Sequence, residues 1–216
     1  MVKHIMVLVL FVCVGASVSA QDSTSFKKRT ELFLGTEFYF FNDQQIKDIY
    51  GSSELKGKAG LYIDLSEQWM IQGVLGYCFG KGEPITNQST IEYNGTTYSI
   101  DAQSKYDLVL SEVILDYVFT RDEEKIMYVG VGLTSIGFSE TITANFTSAF
   151  DRFSESASSE FTATGTVIVF GVKNNNKERR SIYAELSYRK AEATNDFGST
   201  TDFGGISIGG GFFFDL

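Results

Sequence analysis

Glu112 and Asp116 stand four residues apart in a stretch, 107–120, whose odd positions are Val109, Ser111, Val113, Leu115, Tyr117 and Phe119 and whose even positions set these two acids among aliphatics. On a β-strand that spacing puts both carboxylates on one face, the arrangement that paired acids use for general acid–base work. The same polar parity elsewhere in the chain carries Glu31, Glu37, Lys56, Lys58, Asp64, Glu185 and Arg189. Acids and bases so mixed on one face point to mutual neutralisation, with Lys56 or Lys58 as the expected partner of Glu112 and Asp116. Other chemistry is sparse. The one histidine is His4, in a segment expected to be cleaved, so histidine-dependent nucleophiles and histidine metal sites are excluded from the mature chain. Cys78 lies among glycine and aromatic neighbours and reads as a small buried apolar residue. Residues 206–211 are glycine-rich, but no helical pattern follows them, so they make no phosphate loop. The triplets beginning at Asn87, Asn94 and Asn145 indicate loop character. No catalytic, cofactor-binding or metal-ligating set is expected.

The elements that must position these charges begin after a leader. Lys3 and His4 precede an apolar run from Ile5 to Val14, then small residues ending Val18-Ser19-Ala20. This is the pattern of a secretory signal peptide cleaved before Gln21; the run is too short for the roughly 20 residues of a spanning helix. Cleavage leaves Cys78 as the only cysteine, so an intrachain disulfide is impossible. The formal charge of −9 becomes −10 when Lys3 is lost. An acidic chain lacks the basic footprint that nucleic acid requires. Residues 21–29 are a short polar leader, and residues 30–216 read as one domain with no helical periodicity of useful length.

Within that domain the pattern is alternation. Strands are expected over residues 31–41, 55–66, 69–80, 107–120, 126–138, 161–173, 181–191 and 201–216. Most are longer than the 5–6 residues usual in globular sheets and match the 9–11 that a membrane strand needs. Long polar connections (42–53, 81–105, 139–160, 192–200) alternate with short ones (67–68, 121–125, 174–179). Trp69, Tyr117, Phe119, Phe212 and Phe214 fall near the short turns or the C-terminus. Phe38, Phe40, Tyr77 and Phe79 fall near the long loops, as two interfacial belts would. In the last strand Ile206, Ile208, Phe212, Phe214 and Leu216 share one parity, and Gly205, Ser207, Gly209, Gly211, Phe213 and Asp215 the other.

That ending resembles the C-terminal strand of Gram-negative outer-membrane β-barrels, which the assembly machinery reads; Ile208, Phe212, Phe214 and Leu216 are the residues that would carry the signal. Over residues 30–216 the chain resembles the small eight-stranded outer-membrane barrels: the opacity-protein type, outer membrane protein X and the membrane domain of outer membrane protein A. The resemblance implies an all-β fold, an eight-stranded antiparallel up-and-down transmembrane barrel of the broad porin class. It also implies an outer-membrane location in a Gram-negative bacterium, with lipid and the barrel assembly machinery as partners.

An eight-stranded barrel is just wide enough for side chains to fill, so the nine ionisable residues should plug the interior. The expected role is then non-enzymatic: envelope structure, surface interaction of an adhesin-like kind through four long extracellular loops, or both. Tyr93, Tyr98, Phe146, Phe150 and Phe153 would serve as aromatic anchors for an extracellular surface ligand. The competing readings are a soluble secreted lipocalin-like barrel around a small apolar ligand and a narrow ion channel. Interior polarity separates the first of these from the membrane barrel.

Overall fold

A computed structural model of the chain describes residues 28–82, 89–122, 124–174, 181–194 and 200–216. The expected signal segment and most of the leader lie outside the described residues. The elements are β1 (Thr30–Phe41), α1 (Gln44–Tyr50), β2 (Ser53–Asp64), β3 (Trp69–Gly82), β4 (Ser89–Tyr93), β5 (Thr96–Arg121), β6 (Lys125–Thr147), β7 (Arg152–Asn174), β8 (Ser181–Thr194), β9 (Thr200–Asp202) and β10 (Gly205–Asp215).

Eight of the strands form a closed ring in chain order: β1, β2, β3, β5, β6, β7, β8 and β10. The last strand pairs with both β8 and β1, so the ring has no seam. All pairings are antiparallel. Closure satisfies the backbone of every spanning strand without water, the condition for sheet in hydrocarbon. Stepping across the ladders from Ile182 of β8 through Phe212, Leu34, Ala59, Leu75, Ser111, Ser135 and Thr164 returns to β8 at Glu192, ten residues further on. With strands about 4.8 Å apart and about 3.3 Å per residue, that stagger tilts them by about 40° from the barrel axis.

Side chains alternate across the wall. Outward residues are apolar and exposed, among them Phe79 at 75 %, Leu133 at 70 % and Val131 at 60 %. Inward residues are buried, and all nine ionisable residues picked from the sequence are among them. A contiguous apolar outer wall around a charged interior is the polarity of a membrane barrel. A soluble ligand barrel has the reverse, and that alternative is set aside.

Over their described residues, two of the four expected long loops are mostly sheet instead. Residues 96–105 continue β5, residues 139–147 continue β6, and residues 152–160 belong to β7, giving strands of 26, 23 and 23 residues. Their Ser and Thr content reads as loop, yet the period of two persists: Tyr98, Ile100 and Ala102 alternate with Ser99, Asp101 and Gln103, while Ile142, Ala144 and Phe146 alternate with Thr141, Thr143 and Asn145. β4 and β5 form a tight hairpin through Asn94 and Gly95, both at positive φ (50° and 75°), as a type I′ turn requires. The loop 42–53 contains the short helix α1.

Candidate functional site

The interior is layered. Near the short turns an aromatic layer is built from Phe33, Tyr62, Tyr128, Tyr183 and Phe213. Phe33 and Phe213, which break the sequence pattern, face each other across the β1–β10 ladder and fill this layer from both sides of the closing pair. Gly171 makes room for it: a side chain there would collide with the Tyr128 ring. Near the other end a second layer combines Tyr39, Phe41, Tyr106, Leu108, Phe138 and Phe203 with Ile46 and Tyr50 of α1. Tyr50 donates to the Glu140 carboxylate. Burial and that bond hold its phenol well above the usual range.

The charge cluster around Arg189 lies between the two layers. Arg189 is central and fully buried. Its Nε donates to Glu112 Oε1 at 2.7 Å and its Nη2 to Glu112 Oε2 at 3.0 Å, a bidentate pair. The same Nη2 reaches Glu37 Oε2 at 3.3 Å, and Nη1 donates to the hydroxyls of Ser187 (2.8 Å) and Ser207 (2.7 Å). Ser207 donates in turn to Glu37 at 3.1 Å. Lys56 Nζ stands 3.7 Å from Glu37 Oε1 and 3.1 Å from the centre of the Tyr39 ring, where the cation meets the face of the π system. Lys58 pairs with Glu185, which also accepts from Tyr62 (2.6 Å) and Tyr128 (2.7 Å).

Partner choice therefore differs from expectation. Glu112 takes Arg189, not a lysine of β2; Lys56 stands beside Glu37 and Lys58 pairs with Glu185 instead. Asp116 has no cationic partner among the described residues; it lies fully buried, one diagonal step from Gln72 across the β3–β5 ladder. Nearer the short turns, Glu31 pairs with Lys173 (2.5 Å to Oε1) and Asp64 with Arg121 through bonds of 2.8 and 3.0 Å. Lys173 and Arg121 are the interior cations that sequence reasoning missed. Lys173 ends a stretch whose run Val167-Ile168-Val169-Phe170 hides its parity, though counting forward from Ala163 by twos reaches it. Arg121 falls in the short connection expected over 121–125, whereas β5 runs to it.

Chemically this is a neutralised interior. Glu31, Glu37, Asp64, Glu112 and Glu185 are each held by a cation, Glu37 and Glu185 by hydroxyls besides, and Cys78 is buried in the second apolar layer. Glu112 and Asp116 share a face, but Arg189 occupies the first and only the second lacks an ion pair.

Above the ring, β4–β7 continue as a sheet whose polarity is reversed. Its outer face is Thr141, Thr143, Arg152, Ser154, Ser156 and Ser158, with Thr141 bonded to Ser158 and Thr143 to Ser156, each at 3.0 Å. Its inner face carries Tyr98, Phe146 and Phe153, with Phe153 stacked on Phe146 at 4.7 Å and edge-on to Tyr98 at 5.4 Å. These three stiffen the hairpins. Tyr93 and Phe150 sit at the tips, Phe150 exposed at 94 %.

No family model matches the sequence, and no curated protein matches it. Among solved structures the chain is similar to the outer membrane protein OprG of Pseudomonas aeruginosa, with a TM-score of 0.53 at 12 % identity, over 90 % of this chain and 99 % of that one. It also matches the Neisserial surface protein A, with a TM-score of 0.49 at 9 % identity, over 88 % of this chain and 100 % of that one. The likeness to OprG is one of fold: the chain has the fold of the small outer-membrane β-barrels.

Proposed function

We propose that this chain is a non-enzymatic outer-membrane barrel of a Gram-negative bacterium, exported by residues 1–20 and assembled through its C-terminal strand. Its interior is filled and neutralised, so its work is done by the sheet above the ring, which meets a partner outside the cell. One observation carries this reading. On the outer face of β6 the series Met127, Val129, Val131, Leu133 gives way at Ser135 to Ser139, Thr141 and Thr143, while the strand continues unbroken to Thr147. The strand leaves hydrocarbon and goes on into water. Twelve residues beyond the belt span about 40 Å along the strand and about 30 Å of height at the tilt given above. A scaffold need not project so far, whereas a rigid platform with Phe150 and Tyr93 at its tips suits recognition. The layered aromatic and charged interior supports a closed lumen in preference to an ion path.

The test replaces residues 83–103 and 140–159 by tight turns, above the pairs Gly82–Ser104 and Ser139–Glu160, and leaves all eight ring strands in place. The trimmed protein should keep its barrel, shown by a heat-dependent gel mobility, while cells bearing it attach less to surfaces than cells bearing the full chain. Unchanged attachment would leave an envelope-structural role as the better account.

A further inference from the structure

Above the ring β7 has a neighbour on one side only. Residues 152–163 pair with β6 throughout, from Arg152 opposite Thr147 to Ala163 opposite Ile136, whereas pairing with β8 begins at Thr164 opposite Glu192. Among the described residues nothing pairs with the other side of this stretch. The turn at its tip sets which groups are left open. Ser148 N–H donates to Asp151 C=O at 2.9 Å, which makes these two a hydrogen-bonded pair. Such pairs alternate in an antiparallel ladder. Odd residues of β7 therefore bond to β6, and residues 152, 154, 156, 158, 160 and 162 turn N–H and C=O to the open edge.

Proteins usually protect long edges with proline, lysine or a bulge. Residues 152–163 contain no proline and no lysine, and their register with β6 is unbroken. The edge is also complementary to itself. Antiparallel pairing of two copies must set even residues against even ones, and a pairing centred on Ser156 does so. Ser156 then faces Ser156, Ser154 faces Ser158, and Arg152 faces Glu160 on both sides of the two-fold axis. No like charges are opposed, and opposite charges across a ladder are favourable.

The symmetry of this pair decides where the copies sit. The two-fold axis of an antiparallel pair is normal to the sheet, and the normal of a barrel wall is radial, so it lies in the plane of the membrane. Rotation about an in-plane axis inverts the membrane normal. Two copies so joined belong to two membranes that face each other. Copies within one membrane all point the same way and cannot form the pair, which is how an unprotected edge is compatible with a dispersed protein. We propose that residues 152–163 of β7 pair with the same residues of a second copy in a facing membrane, joining like surfaces edge to edge. This rests on the reading that the sheet above the ring stands outside the cell, and it names the partner as the chain itself.

The test uses the full chain in phosphatidylcholine vesicles of two dye colours, with clustering read by light scattering and two-colour coincidence. Wild-type vesicles should cluster where empty ones do not. Arg152→Glu opposes two glutamates at both ends of the pair, and Glu160→Arg opposes two arginines. Each variant alone should cluster at least tenfold less, with its heat-dependent mobility retained. Vesicles of one variant mixed with vesicles of the other should cluster as wild type does, because every contact is then Glu against Arg or the native pair. Dispersed wild-type vesicles, single variants that cluster normally, or a mixture as dispersed as its parts would each overturn the proposal. If cells bearing the protein still lose attachment on trimming while its vesicles stay dispersed, the surface-interaction reading stands and self-pairing falls.

Discussion

Arg189 is the residue on which the interior charge balance turns. It holds Glu112 bidentately, approaches Glu37 and donates to two serines, with its side chain wholly out of solvent. A buried ion pair contributes little net stability compared with apolar residues of the same shape, but removing one partner leaves the other uncompensated. Arg189→Met should therefore destabilise the barrel by about 3–5 kcal/mol, measured as the urea midpoint of refolding into lipid vesicles. Adding Glu112→Gln should recover part of the loss, since one stranded charge is then gone. Arg189→Lys should recover less than wild type, because an ammonium cannot reproduce the two-pronged bond. A change within experimental error for Arg189→Met would show that water reaches the layer.

At the scale of the element, β6 is a single strand that crosses two solvents. Leu133 and Thr143 lie on its outer face, ten residues apart. If lipid ends near Ser135, Leu133→Arg should cost about 2–4 kcal/mol as a charge set in hydrocarbon. Thr143→Arg should change stability by no more than about 0.5 kcal/mol, like an ordinary surface change. Equal costs at both positions would mean that the apolar belt does not mark the membrane. The neighbouring strand β7 makes the same transition beside it, with Phe170 and Ile168 on the ring side of Thr166, Thr164 and Thr162.

The whole molecule depends on closure. β10 is held on both flanks, with Phe213 and Phe33 filling the interior across one ladder and Ile208 opposite Leu186 on the other. The intact chain should fractionate with outer membrane and run at different mobilities before and after boiling. Removal of residues 205–216 opens the ring between β1 and β8, leaves two long edges unpaired in hydrocarbon, and should give a single mobility at both temperatures. A mobility shift that survives the deletion would mean that the ring closes some other way.

Period and polarity in the sequence were enough for the ring itself. Each of the eight expected strands has its counterpart, because one face toward lipid forces a strict alternation that survives local noise. The burial of the charged parity followed from the same alternation. What the period could not decide was where a strand stops. Beyond the belt both faces change chemistry while the alternation continues, so β5, β6 and β7 look like loops to any reading that equates Ser and Thr with irregular structure. Pairing also lay out of reach. Glu112 meets Arg189 across the interior because a stagger of ten residues carries β8 round to it, and Phe33 meets Phe213 because the first and last strands are neighbours only after closure. Such contacts join residues far apart in the chain and depend on the register of every ladder between them, so only the closed tertiary structure could select them.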